Sequence, residues 1–529
     1  MTGLSPRLRT RRTVYFAVAT IAVVGVSGAA LPLVSSLSPE LAVHGVPSGA
    51  VLGTAVGRNQ TWQVEAESLD DVRITLDGRP LAGRRVGDRL VVSTPGLAEG
   101  RHRFTASIDG ALPMTSTSVD REFTVDTTPP TLTVEPVKAQ KMNAPVTVRG
   151  RAQGATGVQV AGRRAEVGPD GGFTVELGQA PSAFDVVATD KAGNATKVPT
   201  IVSVPYPGAR AAHITAIGWS AASLREPLLD LARQKKIDAV ELDIKDESGE
   251  VGYDSQVPLA RQIGANKPSY NPRAVLDQLH AMGVRVIGRI VAFRDPVLGA
   301  KSWAAGAKNR LVQTPSGDAY DGGHYGKFAF TNFADPEVRA YNIDLAVEAA
   351  KLGFDDILYD YVRRPDGRLS QMSFPGLGKR APEQSIADFV AETRTAIRPH
   401  GAFLGASVFG IAATRPTEIA QDIPLLAKSA DYIAPMVYPS HWAAGEYGVA
   451  SPNSSPYDIV QRSLADFTKQ TAGTGASVVP WLQDFSMGVT YGPAEVAAQI
   501  KAARDNNMPS FLLWNAGARY QGAALGATP

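Results

Sequence analysis

Gly353-Phe354-Asp355-Asp356-Ile357-Leu358-Tyr359-Asp360-Tyr361-Val362-Arg363-Arg364-Pro365 reads as a buried strand that ends on a carboxylate, two tyrosines and two arginines. Similar strand ends recur downstream of residue 206. In a parallel α/β barrel the carboxyl ends of the strands are where ligands bind and chemistry is done, so polar residues gathered there mark a site. Eight strands are expected in this region: His213 to Trp219, Ala239 to Lys245, Val284 to Phe293, Asp356 to Tyr361, Phe403 to Phe409, Tyr432 to Tyr438, Ser477 to Leu482 and Ser510 to Trp514. Amphipathic runs fall between most of them, including Ala222 to Gln234, Asn271 to Met282, Pro336 to Leu352, Pro382 to Ile397, Ile459 to Thr471 and Pro493 to Asn506. The alternation predicts a C-terminal (β/α)8 TIM barrel over residues 206–529, in an α/β chain.

Upstream, residues 45–127 show short alternating runs broken by Asp77-Gly78 and Asp109-Gly110, the pattern of a small β-sandwich. Thr127-Thr128-Pro129-Pro130 is a stiff joint, and residues 128–205 repeat the pattern. Both segments resemble bacterial immunoglobulin-like modules, and a spacer role is favoured over glycan binding because no aromatic platform stands out. Residues 1–40 carry Arg7, Arg9, Arg11 and Arg12 and then an uncharged, mostly apolar run from Thr13 to Leu37. That run is long enough to cross a bilayer, and the preceding arginines orient the bulk of the chain outward. A transmembrane anchor is favoured over a signal peptide cleaved near Ser27-Gly28-Ala29. The chain is therefore expected outside the cytoplasm, held to the membrane or secreted.

The 529 residues contain no cysteine, which excludes disulfides, thiolate metal sites and a cysteine nucleophile. With 53 basic and 51 acidic residues spread along the chain, no basic stripe marks a nucleic-acid partner. No glycine-rich phosphate loop, dinucleotide fingerprint or nucleophile elbow is present. No cofactor is expected.

The acidic candidates are Asp243 at the second strand end, Asp246 beside Glu247 in the following turn, Asp360 and Asp484. Paired carboxylates are what glycosidic cleavage requires: a protonated acid for the leaving oxygen and an ionised group to attack carbon or activate water. Alternation sets Tyr359 and Tyr361 opposite Asp360, so only one set is expected to face inward. An arginine such as Arg289 or Arg294 beside an inward Asp360 would fit it for a nucleophile or base. Tyr438, His441, Trp442, Trp481, Gln483, Trp514 and Asn515 end later strands with residues suited to sugar rings and hydroxyls, joined by Tyr361, Arg289 and Arg363. A metal held by His213, His324, His441 and Asp243 is the weaker reading, because compact ligand spacing is missing, and none is expected.

Five segments carry a family resemblance: Val-Glu-Leu-Asp-Ile-Lys-Asp-Glu-Ser-Gly at 240–249, Arg-Ile-Val-Ala-Phe-Arg-Asp-Pro at 289–296, residues 354–365, Pro-Met-Val-Tyr-Pro-Ser-His-Trp at 435–442 and Pro-Trp-Leu-Gln-Asp-Phe at 480–485. In order, over about residues 210 to 525, the chain resembles a glycoside hydrolase domain family related to the α-amylase-type barrels. The resemblance implies hydrolysis of an extracytoplasmic polysaccharide. It also implies Asp243, Asp246, Asp360 and Asp484 as acids and Arg289, Tyr438, His441, Trp481 and Gln483 as substrate contacts. One position departs from it: Ser407 stands where relatives carry an aspartate. A catalytically silent glycan-binding barrel is therefore the first alternative, and a metal-dependent polysaccharide deacetylase the second.

Overall fold

The computed structural model describes residues 38–55, 57–110 and 115–526. The expected membrane segment lies outside them, and among the described residues no helix is long and apolar enough to cross a membrane. The chain divides into two compact units, one reaching Pro129 and including Lys191–Asn194, the other Pro130–Asp190 with Ala195–Pro529.

The first unit is all β. A four-stranded sheet holding Asn59–Ala66 and Arg89–Pro95 and a five-stranded sheet holding Gly100–Ile108 and Thr117–Val125 share one core. At its centre Trp62 stacks on Phe104 with ring centroids 4.0 Å apart.

The second unit opens with another all-β module, whose three- and four-stranded sheets pack Val148, Phe173, Val158 and Val186 together. An eight-stranded parallel barrel follows: β1 Arg210–Ile214, β2 Ala239–Lys245, β3 Arg285–Val291, β4 Asp356–Asp360, β5 Phe403–Phe409, β6 Tyr432–Met436, β7 in two pieces (Ser477–Val478 and Trp481–Gln483), and β8 Phe511–Trp514. β8 pairs with β1 and closes the ring. Two-residue alternation sorts the strands' side chains. Ile214, Val240, Leu242, Ile244, Val286 and Ile290 pack with the surrounding helices, whereas Ala211, Ala239, Ile287, Leu358, Tyr432 and Leu512 belong to a different cluster shared with the second β module. The linker ties the two together. Tyr206 stacks on Tyr432 with centroids 4.3 Å apart and donates its hydroxyl to Asp356 Oδ2 at 2.8 Å.

Helix starts follow local chemistry. Proline occupies the first turn of Pro272–Ala281, Pro336–Leu352, Pro382–Ile397 and Pro493–Asp505, where its missing N–H costs nothing. Asn271 and Asp335 accept N–H bonds as N-caps, and Gly353 ends its helix in the left-handed region at φ 113°. The first strand is shorter than the expected span to Trp219. Thr215 accepts the Gly218 N–H and starts a helix, Ala216–Ser220, directly after Ile214.

Candidate active site

Parallel register places His213 opposite Glu241 and Asp243 opposite Arg289, so interior polar residues of neighbouring strands meet in adjacent layers. Arg289 is 1% exposed and stands at the hub. Its Nη1 donates to Asp243 Oδ1 at 2.8 Å, and its Nε and Nη2 to Asp360 Oδ2 at 3.1 and 2.6 Å. Nη2 also pairs with Glu247 Oε1. Beneath, His213 Nδ1 meets Glu241 Oε2, and His213 Nε2 lies 3.8 Å from Asp243 Oδ2.

A β-bulge organises β2. The β2–β3 register shifts between Asp243 and Lys245, which breaks the alternation that would aim both residues inward. Lys245 instead points toward the helices, donating to Asp295 at 2.7 Å and Asn342 at 2.9 Å. The following turn then separates two adjacent acids. Asp246 Oδ1 accepts the Ser248 and Glu250 N–H groups and shapes the turn, whereas Glu247 reaches back to Arg289.

Above Arg289 opens a cavity of about 470 Å³, lined by Glu247, Arg289, Asp360 and a wall of aromatics. Of the residues singled out from sequence, Asp360, Arg289, Tyr361, Tyr438, His441, Trp442, Trp481 and Trp514 line it together. Asp243, Asp246, Asp484, Arg363, Gln483 and Asn515 are not among its lining residues. Asp243 lies behind Arg289, 1% exposed. Asp484 is turned toward the β8 loop, where its Oδ2 accepts the Gln521 N–H at 2.9 Å. Gln483 pins the β6 loop by accepting the Ser440 N–H at 3.0 Å, and Asn515 holds its own loop by donating to Arg519 O at 2.8 Å. Arg363 stacks on Phe409 at 4.3 Å and Tyr361 at 4.8 Å, supporting the wall from outside.

Alternation gave one face to Asp360 and the other to both tyrosines, and the structure departs from this at one of them. Tyr359 does face the helices, its hydroxyl donating to Asn342 O at 3.1 Å. Tyr361 stands just past the strand end with φ 47°, outside the geometry that alternation assumes, and its ring turns into the cavity beside Asp360. Its N–H donates to Asp360 Oδ1 at 2.7 Å, and its hydroxyl accepts from Arg294 Nη1 at 3.0 Å. Glu247 was not singled out as a site residue, although the bulge brings it to the cavity. Ser407, the departure from the family pattern, accepts the Trp481 indole N–H at 3.0 Å and is buried.

Electrostatically, burial would raise Glu247, but the Arg289 charge and hydrogen bond outweigh it and pull the carboxyl down to about 2. Burial drives Asp243 up to about 7 against the pull of His213 and Arg289. It likewise lifts Asp484 to about 6, with the Gln521 N–H opposing, and lowers His441.

Residues 211–520, spanning all eight barrel strands, match the profile of the family described as "Putative glycosyl hydrolase domain". The chain belongs to this family. Its barrel is a glycosyl hydrolase domain, and cleavage of O-glycosyl bonds is the corresponding enzyme class. No curated protein matches the chain. Among solved structures, a hypothetical protein from Ruminiclostridium thermocellum ATCC 27405 is 34% identical, over 37% of this chain and 95% of that one, with a TM-score of 0.33. The glycoside hydrolase domain of PgaB (BpsB) from Bordetella bronchiseptica is 15% identical over 59% of this chain and 95% of its own, with a TM-score of 0.46. That of PelA from Pseudomonas aeruginosa is 16% identical over 59% and 97%, with a TM-score of 0.36.

Proposed function

We propose that the barrel hydrolyses a polysaccharide outside the cytoplasm, with Asp360 and Glu247, both paired to Arg289 Nη2, as its working carboxylates. The observation that carries this is their convergence on one guanidinium at the floor of an aromatic cavity. The cavity falls in the size class of small-molecule sites, roughly 300–1,000 Å³. Trp514, Tyr361 and Tyr325, partly exposed, offer apolar ring surface to a sugar, with Trp442, Trp481 and Tyr438 buried in the wall behind them. Glu247, held ionised, suits a base, a nucleophile or a stabiliser of an oxocarbenium-like transition state. Asp243 supports the site from behind Arg289 in this reading, and Asp484, lifted to about 6 by burial, is left to deliver the proton to the leaving oxygen.

The silent-barrel alternative drew on Ser407, yet that serine holds Trp481 in place and does not line the cavity. For the deacetylase alternative, neither His324 nor His441 joins His213, Glu241 and Asp243, the one metal-competent group among the described residues. The apolar run after the N-terminal arginines supports export, and the two β modules, read as immunoglobulin-like domains at 45–127 and 128–205, serve as a spacer.

The test is turnover by Asp360→Asn and Glu247→Gln on natural glycan and on aryl glycosides. Loss of an acid is spared by an activated aryloxide leaving group, and loss of a nucleophile or base is rescued by azide. Each variant is expected to lose about 10²–10⁴-fold in kcat on natural glycan and to recover part of it with azide. Full activity in both would contradict the assignment.

A further inference from the structure

We propose that the cavity takes an acidic glycan, with Arg294 and the Tyr361 hydroxyl binding the carboxylate of a hexuronic acid residue at its rim. The inference rests on the reading of this cavity as the glycan site. Arg294 follows β3 and is half-buried. Its guanidinium carbon sits 4.8 Å from the centre of the Tyr325 ring and 5.1 Å from that of Tyr361, and both rings line the cavity. The rings stand nearly perpendicular with centroids 6.2 Å apart, so the guanidinium closes the corner between them.

Arg294 has no counter-charge. Among the described residues its side chain makes one hydrogen bond, from Nη1 to the Tyr361 hydroxyl at 3.0 Å, and no carboxylate oxygen lies within 4.0 Å of it. The acids beside it in sequence or across the strand ends are committed elsewhere. Asp295 binds Lys245 at 2.7 Å and caps a helix at the Leu298 N–H, Asp360 is held by Arg289 and the Tyr361 N–H, and Asp366 pairs with Arg363. By contrast Arg285, Arg289, Arg310, Arg339, Arg394 and Arg398, half-buried or buried, each have an acidic partner. A guanidinium partly withdrawn from water is normally paired, and its planar fork of N–H groups matches the edge of a carboxylate.

Tyr361 completes the subsite. Its φ of 47°, a region tyrosine seldom adopts, turns the ring into the cavity, and its hydroxyl accepts from Arg294. Burial and the Asp360 charge lift that hydroxyl to about 12, so it keeps a proton to donate to the same anion. Arg363 adds a second positive charge on this side, centred 4.8 Å from the Tyr361 ring. The floor is different, because Glu247 and Asp360 share one guanidinium there and repel an anion. The charges thus sort the substrate, with its carboxylate at the rim and its glycosidic bond over the floor.

The test is calorimetric titration of oligogalacturonate, oligoglucuronate and alginate oligomers, each beside its carboxyl-reduced counterpart, into the full chain carrying Asp360→Asn. That background removes turnover and keeps an oxygen for the Tyr361 N–H. At least one acidic oligomer is expected to bind tenfold or more tightly than its reduced counterpart, and Arg294→Gln to erase the difference. Arg273→Gln, at an exposed position on an outer helix, leaves the difference intact. Arg294→Lys and Tyr361→Phe, which keep size, are each expected to lose part of it and decide the matter if Arg294→Gln fails to fold. No acid preference in any pair, or a preference undiminished by these Arg294 and Tyr361 variants, would overturn the proposal. Turnover is read separately on the chain with Asp360 intact. Acid binding that depends on Arg294 without release of reducing sugar would contradict the hydrolysis and leave this inference standing, whereas turnover confined to neutral glycans would do the reverse.

Discussion

Asp246 and Glu247 are neighbours with the same charge, yet one caps a turn and the other reaches the cavity. No pattern in the sequence separates them, because the difference arises from a one-residue register shift in β2. Asp360 was legible, because a carboxylate closing a run of buried apolar residues stands out. The same logic does not separate Asp360, in the cavity lining, from Asp484, which turns to the β8 loop outside it. At Ser407, where the family pattern expects an acid, the hydroxyl accepts a tryptophan N–H instead. Ser407→Ala strands that N–H and is expected to cost about 1–3 kcal/mol in urea unfolding, with a weakened substrate KM as Trp481 loosens. Arg289→Met leaves its buried carboxylates without their counter-charge. It is expected to destabilise by roughly 3–5 kcal/mol, measured by the same unfolding, and to abolish turnover.

At the scale of elements, strands and helices followed their sequence signals closely. Ala239–Lys245 and Phe403–Phe409 fall where buried β-branched and alternating runs predict, and Pro336–Leu352 begins and ends at its proline and glycine. Failure came where a strand meets a cap. Thr215 converts the expected continuation of β1 into a helix start. The linker carried information that composition concealed: Pro205 to Pro207 reads as a boundary, but Tyr206 between them fills the barrel base. Tyr206→Ala removes a ring 8% exposed and leaves Asp356 without its hydroxyl donor. A loss of roughly 3–5 kcal/mol is expected, read as a lower unfolding midpoint.

For the whole molecule, stability against pH should record these buried carboxyls with opposite signs. Burial lifts Asp356 from 3.8 to about 7 despite the Arg285 charge, so the fold holds its proton more tightly than the unfolded chain does. The folded state then binds more protons across that window, and this contribution to stability falls as pH rises through it. Asp356→Asn should flatten the decline. Glu247 acts in reverse: held at about 2 against 4.5, it stabilises above 4.5 and loses that contribution as pH falls toward 2. Glu247→Gln should remove part of the acid limb. Eight strand signals in order made the barrel legible, because each strand's periodicity is local. The site was legible only in part, because the guanidinium hub and the bulge are properties of the closed ring. The most direct measurement of the central claim is release of reducing sugar from a panel of envelope and extracellular polysaccharides by the chain and by its Asp360→Asn variant. Turnover on at least one glycan that collapses in the variant is the predicted result, and equal turnover by both proteins would contradict it.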